Sequence, residues 1–421
     1  MITRIEIDGF KSFYDFAVDL RPFQVLVGAN GSGKSNLFDA IMLLSYLASE
    51  KNIVDALKRV RADRPEELFS IQKNGSRNSI MEIAVEVFIP PNPKDSLANT
   101  GKLASQYLRY SIGIEKISQG ETENIHISYE RLAPVASEPD TGYLFNRYHK
   151  KQNYEYTTRV SLATSIFNED ATVYAMRQEM LSWRTYSFQP NKIRQPALFG
   201  DTYSSPELAA DGSNLTAVLY WLKNHENHHL EFHGISLAIS ALVDNIAKID
   251  VRGFKELGRI YLEAKSPQQA RLSADALSDG TLRLLALLTL VRDTRAKGVI
   301  CFEEPENSVH AHHLERIMRE LNRLPTTLGE PHNPEIPLRQ ILVSTHSPLA
   351  LANVKPEDIL FVYMTHRGSV RLTRMGSLIP DPEKTPSEQR VPVDLLRDYL
   401  SPEPLVKQYQ QLEEIIKKIL A

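Results

Sequence analysis

The sequence predicts an α/β fold that carries an antiparallel β insert and a helical lobe, and three observations lead to this prediction. First, a short apolar strand at 24–27 runs into a glycine-rich loop and then into a helical stretch at 36–47. Second, two later runs, VICF and QILVST, are apolar or centred on apolar residues, which is typical of strands buried on both faces of a parallel sheet. Third, residues 79–159 hold several β-rich runs between polar loops, which indicates an antiparallel sheet, and 170–245 turn helical.

Three smaller segments complete the predicted layout. The charged stretch 51–78, which contains KRVRADRPEE, is expected to form a helix and loop on the surface, and FVYMT and SVRLTRM are expected to form a late hairpin. The proline-rich segment 325–338 is expected to be an exposed loop.

The glycine-rich loop reads GANGSGKS and matches the pattern G-x-x-x-x-G-K-[ST]. Glycines let the backbone curl so that its N–H groups face phosphate oxygens, and the helix N-terminus that follows favours an anion. The lysine of such a loop reaches the β- and γ-phosphates, and the final hydroxyl binds Mg²⁺. We therefore expect ATP and Mg²⁺ here, with Lys34 on the phosphates and Ser35 on the metal. The predicted nucleotide-binding residues of the loop are Gly28, Ala29, Asn30, Gly31, Ser32, Gly33, Lys34, Ser35 and Asn36.

Length, net charge and cysteine content limit the kinds of protein that this sequence can represent. The 421 residues, 42% of them hydrophobic, allow a sizeable core in one large domain or in two to three small ones. The net charge of −3 gives no electrostatic case for nucleic acid and excludes none, because a basic patch can hide in a balanced total. Cys301 is the single cysteine, so we expect no internal disulfide and a cytosolic protein. We expect no signal peptide and no membrane span, because Met1 leads directly into a strand-like run and the apolar run at 284–291 is too short to cross a bilayer.

Two carboxylates follow the apolar strand in VICFEE. A nucleotide-hydrolysing site places its acidic residues at such a carboxyl end of a parallel strand. We expect Glu303 to act on Mg²⁺, directly or through water, and Glu304 to polarise the attacking water as a catalytic group. Aspartate is the usual residue at the first of these two acidic positions. Glu303 departs from that pattern, and its side chain is longer than that of aspartate.

Two more motifs suit the same chemistry. LSDGT precedes an apolar helix, and a serine and a glycine at a helix N-terminus offer a hydroxyl and N–H groups to an anion. Helix capping alone is the alternative explanation for Ser278. QILVSTHSP places His346 at the end of a buried strand, where its ring can bond a γ-phosphate and orient water. A hydrogen-bonded core histidine is the alternative there.

The order of these motifs resembles the ABC-type ATPase heads of the SMC/RecF-like branch, within the P-loop NTPases. IEIDGFKSF resembles the first strand pair of that branch, and EEPENSVH resembles its extended acidic motif. The finer similarity is to stand-alone AAA-type ATPases related to OLD-family heads. The resemblance is strongest over 1–50 and 210–365. It implies that two heads sandwich two nucleotides, that LSDGT contacts ATP bound to the other subunit, and that 307–310 touch the partner. The signature residues implied to bind nucleotide are Ser278, Asp279 and Gly280.

The chain departs from the larger members of this branch. It has no heptad stretch long enough for an SMC coiled coil, and the 75 residues that follow His346 are too few for a Toprim nuclease domain. We therefore expect the head to be essentially the whole chain. Gln189 is the candidate for the glutamine that also contacts the metal in this branch. The predicted parts of the head are 1–165 (P-loop and β-rich lobe), 166–250 (helical lobe), 251–375 (signature, acidic strand and histidine) and 376–421 (C-terminal helices).

Three further patterns remain open at this stage. HENHH at 225–229 matches the zinc-protease pattern H-E-x-x-H, but its polar setting favours an exposed surface. The histidines His310, His312 and His313 fit helix-start or interface roles better than a metal site. Apolar residues from Leu405 to Ile419 recur at heptad-like spacing, which fits either a terminal helix docked on its own domain or a seam for a second subunit or partner.

The resemblance implies an ATP-driven switch: ATP closes a head-to-head dimer and hydrolysis opens it. Stand-alone ATPases of this kind are often paired with a separate effector, typically a nuclease, in bacterial anti-phage defence. The alternative is a DNA-repair or DNA-end-binding ATPase without an effector. A transporter's nucleotide-binding subunit is a weaker third hypothesis, since the β insert and EEPEN do not resemble such subunits.

Overall fold

Three sheets organise the chain, and the central one leads into the phosphate loop. Across the central sheet the strands are β16 (Val370–Arg374), β15 (Ile359–Met364), β3 (Phe23–Val27), β14 (Arg339–Thr345), β13 (Gly298–Glu303) and β8 (Arg184–Tyr186). Neighbouring strands are parallel except β15 and β16, which form the late hairpin that the sequence predicts. The computed structural model describes residues 1–72, 75–90, 103–119, 122–135, 145–148, 160, 162, 171–202, 206–307, 311–326, 338–351, 354–365 and 368–374.

The second sheet is antiparallel and confirms the predicted β-rich insert. It contains the first two strands of the chain together with strands from the middle region. The third strand of the chain, β3, belongs to the central sheet instead. Its strands in spatial order are β2 (Phe16–Asp19), β1 (Ile2–Asp8), β4 (Ile80–Phe88), β5 (Tyr107–Gln119), β6 (Thr122–Pro134) and β7 (Phe145–Tyr148). The buried side chain of Gln340 ties the two sheets together, because it bonds both the N–H and the C=O of Ile2 at 2.8 Å.

The third sheet is small and immediately precedes the signature motif. Its strands are β9 (Ala197–Leu198), β10 (Lys248–Phe254), β11 (Arg259–Lys265) and β12 (Arg271–Ser273). β10, β11 and β12 form an antiparallel ribbon in that order, and β9 pairs with the beginning of β11.

Helices cover both faces of the central sheet, which explains why its strands read as uninterrupted apolar runs. Along β13, Val299 and Cys301 belong to a core shared with the antiparallel sheet, whereas Ile300 and Phe302 belong to a second core shared with the small sheet. The helices are α1 (Lys34–Ser49), α2 (Ile53–Lys58), α3 (Ala171–Leu181), α4 (Pro190–Ile193), α5 (Leu215–Asn224), α6 (His229–Ser240), α7 (Asp279–Arg292) and α8 (Ala311–Asn322).

The structure refines two sequence-based expectations and leaves others outside its range. Residues 51–78 were expected to form a helix and loop on the surface, yet α2 buries Ile53, Ala56 and Leu57 in the core. The region 170–245, expected to be helical, also contributes β8 to the edge of the central sheet. The apolar repeat in 405–419 and most of the loop 325–338 lie outside the described residues. Within the part of the chain that is described, no helix has the length and apolar character needed to cross a membrane.

Candidate nucleotide-binding and hydrolysis site

Three parallel strands bring the predicted site residues to one edge of the central sheet. β3 pairs with β14, so that Val27 lies opposite Thr345, and β14 pairs with β13, so that Ser344 lies opposite Glu303. The loop after β3, the acids after β13 and the histidine after β14 therefore begin side by side. The carboxyl ends of parallel strands are the usual place for a ligand in such a sheet.

The phosphate loop has the close contacts and backbone conformation that its glycines predict. Gly33 has φ +100°, and a Cβ there would lie 2.3 Å from a methyl carbon of Val370. A Cβ on Gly28 would lie 2.2 Å from the carbonyl oxygen of Val362. Gly33 also precedes α1, whose first N–H groups have no acceptor within the helix. The buried hydroxyl of Ser32 has no hydrogen-bond partner among the described residues. A curled loop with unused donors at a helix N-terminus fits a phosphate group.

Lys34 lies inside this loop with its side chain buried. Its ammonium group donates to the carbonyl oxygens of Gly28 at 2.6 Å and Ala29 at 2.9 Å. Burial lowers the pKa of Lys34, and the carboxylates of Glu304 and Glu306 act in the opposite direction. The ammonium group therefore lies close enough to the acids that follow β13 for their charges to act on it. This is the position expected for a lysine that binds phosphates next to those acids.

Arg61 is a site residue that the sequence did not reveal. Its guanidinium binds both carboxylate oxygens of Glu303, at 2.7 and 2.8 Å, and its Nε donates to Asp39 at 2.8 Å. Lys11 also contacts Asp39, at 2.5 Å. The only sequence signal was a charged stretch, KRVRADRPEE, that we expected on the surface. Arg61 is exposed, as expected, and it also connects α1, through Asp39, with the acid that we expected to act on Mg²⁺.

The oxygen donors present fit a nucleotide-bound Mg²⁺. Arg61 donates to the backbone carbonyl of Ser35 at 3.2 Å as well as to Glu303, so the serine and the acid face the same guanidinium. Among the described residues, no three histidines, cysteines or acids gather as a metal site. Mg²⁺ in nucleotide sites commonly takes one or two protein oxygens together with phosphate oxygens and water. Arg61 uses one lone pair on each oxygen of Glu303, so the remaining lone pairs would be the ones that act on Mg²⁺, directly or through water.

Glu304 leaves the strand in an uncommon backbone conformation. Its φ is +47°, in the left-handed region that non-glycine residues adopt rarely and often at functional sites. Its N–H donates to Ser344 O at 2.9 Å, and its carboxylate accepts a 2.7 Å hydrogen bond from the Asn307 side chain. The other carboxylate oxygen lies 3.5 Å from Nδ1 of His346. The predicted catalytic acid and the predicted histidine are therefore adjacent.

Glu306 is the second residue that sequence reasoning missed, although EEPEN contained it. Its carboxylate oxygen Oε1 accepts hydrogen bonds from the Thr345 hydroxyl at 2.7 Å and from the His346 N–H at 3.0 Å. These two hydrogen bonds connect the loop after β13 with the end of β14. The site thus contains three acids rather than the two that the sequence indicated.

The signature serine and the candidate glutamine lie at element boundaries. Ser278 is exposed and caps α7, where its hydroxyl accepts the N–H of Thr281 at 3.2 Å. Its contact with a second nucleotide stays a prediction, as do those of Asp279 and Gly280. Gln189 is exposed at the start of α4, shortly after β8, and its N–H donates to Asp211 O at 2.9 Å. Its metal contact stays a prediction.

The histidine patterns do not form a metal site in the described chain. His225 follows the end of α5 and His229 begins α6, so the two histidines of H-E-x-x-H do not share one helix. Both are exposed, as expected. The side chains of the histidines at 310, 312 and 313 lie outside the described residues.

Comparisons with known proteins agree with this geometry. Residues 1–195 match the family described as an AAA ATPase domain. Residues 180–352 match an AAA-domain family whose description names the AbiEii toxin and type IV toxin–antitoxin systems. A DNA replication and repair protein RecF from Acidothermus cellulolyticus is 31% identical over 140 residues, which are 33% of this chain and 34% of that protein. A chromosome partition protein Smc from Methanocaldococcus jannaschii is 35% identical over 85 residues, 20% of this chain and 7% of that protein.

A solved structure extends the similarity to the whole fold. The SmcHead bound to the C-winged helix domain of ScpA matches with a TM-score of 0.50 at 16% identity, covering 88% of this chain and 97% of that one. The matches to the curated relatives thus span 34% and 7% of their lengths, whereas 97% of the head structure is matched. Together with the order of the motifs along one sheet edge, these similarities support an ABC-type ATPase head of the SMC/RecF-like kind.

Proposed function

We propose that this protein binds MgATP and hydrolyses it to ADP and phosphate. The observation that carries the proposal is the convergence of the phosphate loop, Glu303, Glu304 and His346 at one edge of the sheet. Bound Mg²⁺ would supply neutralisation of phosphate charge. Lys34 binds the β- and γ-phosphates, Glu304 orients water and accepts its proton, and His346 contacts the γ-phosphate end. Phosphoryl transfer depends mainly on such positioning and charge stabilisation.

We further propose that hydrolysis drives a head-to-head dimer between closed and open states. Ser278 is exposed at the N-terminus of α7, and its hydroxyl, which contacts the hydroxyl of Thr281 at 2.9 Å, would exchange that contact for an ATP molecule held by a second subunit. ATP shifts a conformational equilibrium toward the state that it contacts best. If only the closed dimer adds Ser278 to the nucleotide, ATP favours closure and its hydrolysis releases it.

Replacing Ser278 with arginine tests this dimer contact. We expect the Ser278→Arg variant to bind ATP as a monomer with nearly wild-type affinity but to lose ATP-dependent association and most turnover, because a large side chain blocks the partner's phosphates. Light scattering with MgATP and steady-state hydrolysis measure the two effects. Loss of the cap costs about 1 kcal/mol, so the melting temperature must be followed as well. Ser213→Arg, in an exposed loop, is the matched control. Wild-type turnover in Ser278→Arg would leave LSDGT with a capping role only.

The cellular role we propose is the ATPase component of an anti-phage defence system that works with a separate effector such as a nuclease. The support is the match of residues 180–352 to a family described with a toxin–antitoxin system. A stable, ATP-dependent complex with the co-expressed product of a neighbouring gene is the expected result.

A second candidate function, nucleic-acid binding, is favoured by a row of cations on the small sheet. Lys248, Lys265 and Arg271 lie side by side across β10, β11 and β12 in register. Like charges directly opposite each other on strands are destabilising, and a bound polyanion would offset the repulsion among these three cations. None of the three makes an ion pair with another described residue.

Aromatic rings and a further cation extend the same outer face. Phe254 and Tyr261 contact each other edge to face with centroids 5.7 Å apart, and the Arg252 guanidinium lies 5.2 Å from the Phe254 ring. Cations that follow a backbone, next to rings on which bases stack, are the usual features of single-stranded nucleic-acid binding. Asp250 and Glu263 lie opposite each other on this face, between the cation row and the rings, and each contacts a cation, Lys223 at 2.6 Å and Arg252 at 3.7 Å. The face therefore keeps an excess of cations, which fits a single strand that follows the row and the rings.

Charge reversal tests this second candidate. We expect the triple variant Lys248→Glu/Lys265→Glu/Arg271→Glu to lose about tenfold or more in affinity for a labelled single-stranded oligonucleotide, with a shallower salt dependence, because phosphate contacts are lost. The control is Lys58→Glu/Arg64→Glu/Arg319→Glu, which changes the net charge equally at scattered exposed positions. Equal losses in both variants would assign the binding to net charge and remove this face as the site.

A further inference from the structure

The strongest feature that the proposed reaction does not use is the carboxylate of Glu306. Its side chain is only 10% exposed, although glutamate is usually found at the surface. One oxygen, Oε1, accepts from the Thr345 hydroxyl at 2.7 Å and from the His346 N–H at 3.0 Å. The other, Oε2, is buried and has no hydrogen-bond donor among the described residues. A buried acid that is only half satisfied calls for a functional explanation.

Glu306 also contacts the imidazole ring of His346. Nδ1 of the ring lies 3.2 Å from Oε1 of Glu306 and 3.5 Å from Oε1 of Glu304, off the line of an ideal hydrogen bond in this conformation. An ionised carboxylate can only accept, so a proton on Nδ1 makes both contacts attractive. Protonation at Nδ1 leaves Nε2 as the ring nitrogen that can contact a phosphate or water.

The same residue orders the backbone around the histidine. Thr345 is the last residue of β14, opposite Val27 at the start of the phosphate loop. Its hydroxyl donates to Glu306 and accepts the N–H of Ser347 at 3.0 Å. Glu306 therefore bonds the main chain at His346 and lies beside its ring, next to the strand pair that leads into the phosphate loop. It is near enough to Lys34 that its charge opposes the effect of burial on the pKa of that lysine.

We propose that Glu306 is a positioning residue for His346: it selects the Nδ1-protonated tautomer and fixes the ring so that Nε2 is presented to the γ-phosphate. This inference rests on the proposed ATP hydrolysis for its kinetic consequence, but the tautomer itself does not depend on it.

The tautomer is tested by nitrogen-15 NMR of the full chain without nucleotide. His346→Gln assigns the signals of His346 among the 12 histidines. We expect protonation at Nδ1 in the wild type and a shift toward Nε2 protonation in Glu306→Gln, since a neutral amide no longer favours Nδ1–H. The signals of His228, whose Nδ1 contacts Glu231 at 2.7 Å, serve as the internal control. Nε2 protonation in the wild type, or an unchanged tautomer in Glu306→Gln, would overturn the proposal.

A double-mutant cycle separates positioning from a merely structural role. We expect Glu306→Gln to lower kcat about tenfold with KM nearly unchanged, and to have no further effect in a His346→Ala background. Losses that multiply in the double variant would contradict positioning through His346. If Glu306→Gln does not fold, Thr345→Val removes one donor to the same carboxylate and should lower kcat in the same direction, again only when His346 is present. A wild-type protein without ATPase activity would remove the proposed reaction and leave the NMR result to decide the tautomer.

Discussion

The Glu304→Gln variant is expected to bind MgATP and to accumulate as a closed, ATP-bound dimer. The amide is nearly isosteric and can still accept the hydrogen bond from Asn307. The carboxylate that orients water and accepts its proton is lost, which typically costs about 10²–10⁴-fold in rate. Lys34 and Ser35 remain, so binding should persist while hydrolysis nearly stops. Size-exclusion chromatography with light scattering, with and without MgATP, detects the accumulated dimer.

The control for this variant is Glu320→Gln on α8, because Glu320 forms an exposed ion pair with Arg323 away from the site. It should hydrolyse ATP and dissociate like the wild type. Full activity in Glu304→Gln would exclude Glu304 as the catalytic acid–base. An inactive Glu304→Gln variant without ATP-dependent association would instead refute the dimer switch and leave an ATP-binding head.

The Lys34→Ala variant is expected to lose nucleotide binding. Charge-assisted hydrogen bonds are worth about 1.5–3 kcal/mol each, so losing two contacts to phosphates lowers affinity by about a hundredfold or more. The Lys34 ammonium donates to Gly28 and Ala29 carbonyls within the loop, so it is already placed beside the phosphate position. Titration of a fluorescent ATP analogue measures the loss.

Lys58→Ala provides the matched control for Lys34→Ala, since Lys58 is an exposed lysine in the last turn of α2. Its affinity for the analogue should equal that of the wild type. The melting temperature of Lys34→Ala shows whether the loop carbonyls tolerate the loss of their donor. An unchanged affinity in a folded Lys34→Ala variant would refute the assignment of GANGSGKS as a phosphate loop.

Several parts of the site could be predicted because they depend on short segments of sequence. Lys34 follows a glycine pattern with a strand before it and a helix after it, and the structure has β3 and α1 there. Glu304 and His346 each end an apolar run, and such runs become parallel strands that end at one edge. The late hairpin and the antiparallel insert followed in the same way from alternation and turns.

What the sequence alone determined is therefore the class of fold and the residues that stand at strand ends, since both follow from local hydrophobic periodicity. Only the tertiary structure decided the roles of Arg61 and Glu306. Arg61 lies 242 residues from Glu303 along the chain, and Glu306 lies 40 residues from His346. Neither belongs to a periodic pattern. Their contacts arise because α2 packs its apolar side into the core, which directs the following turn to the site, and because β13 and β14 align in parallel register.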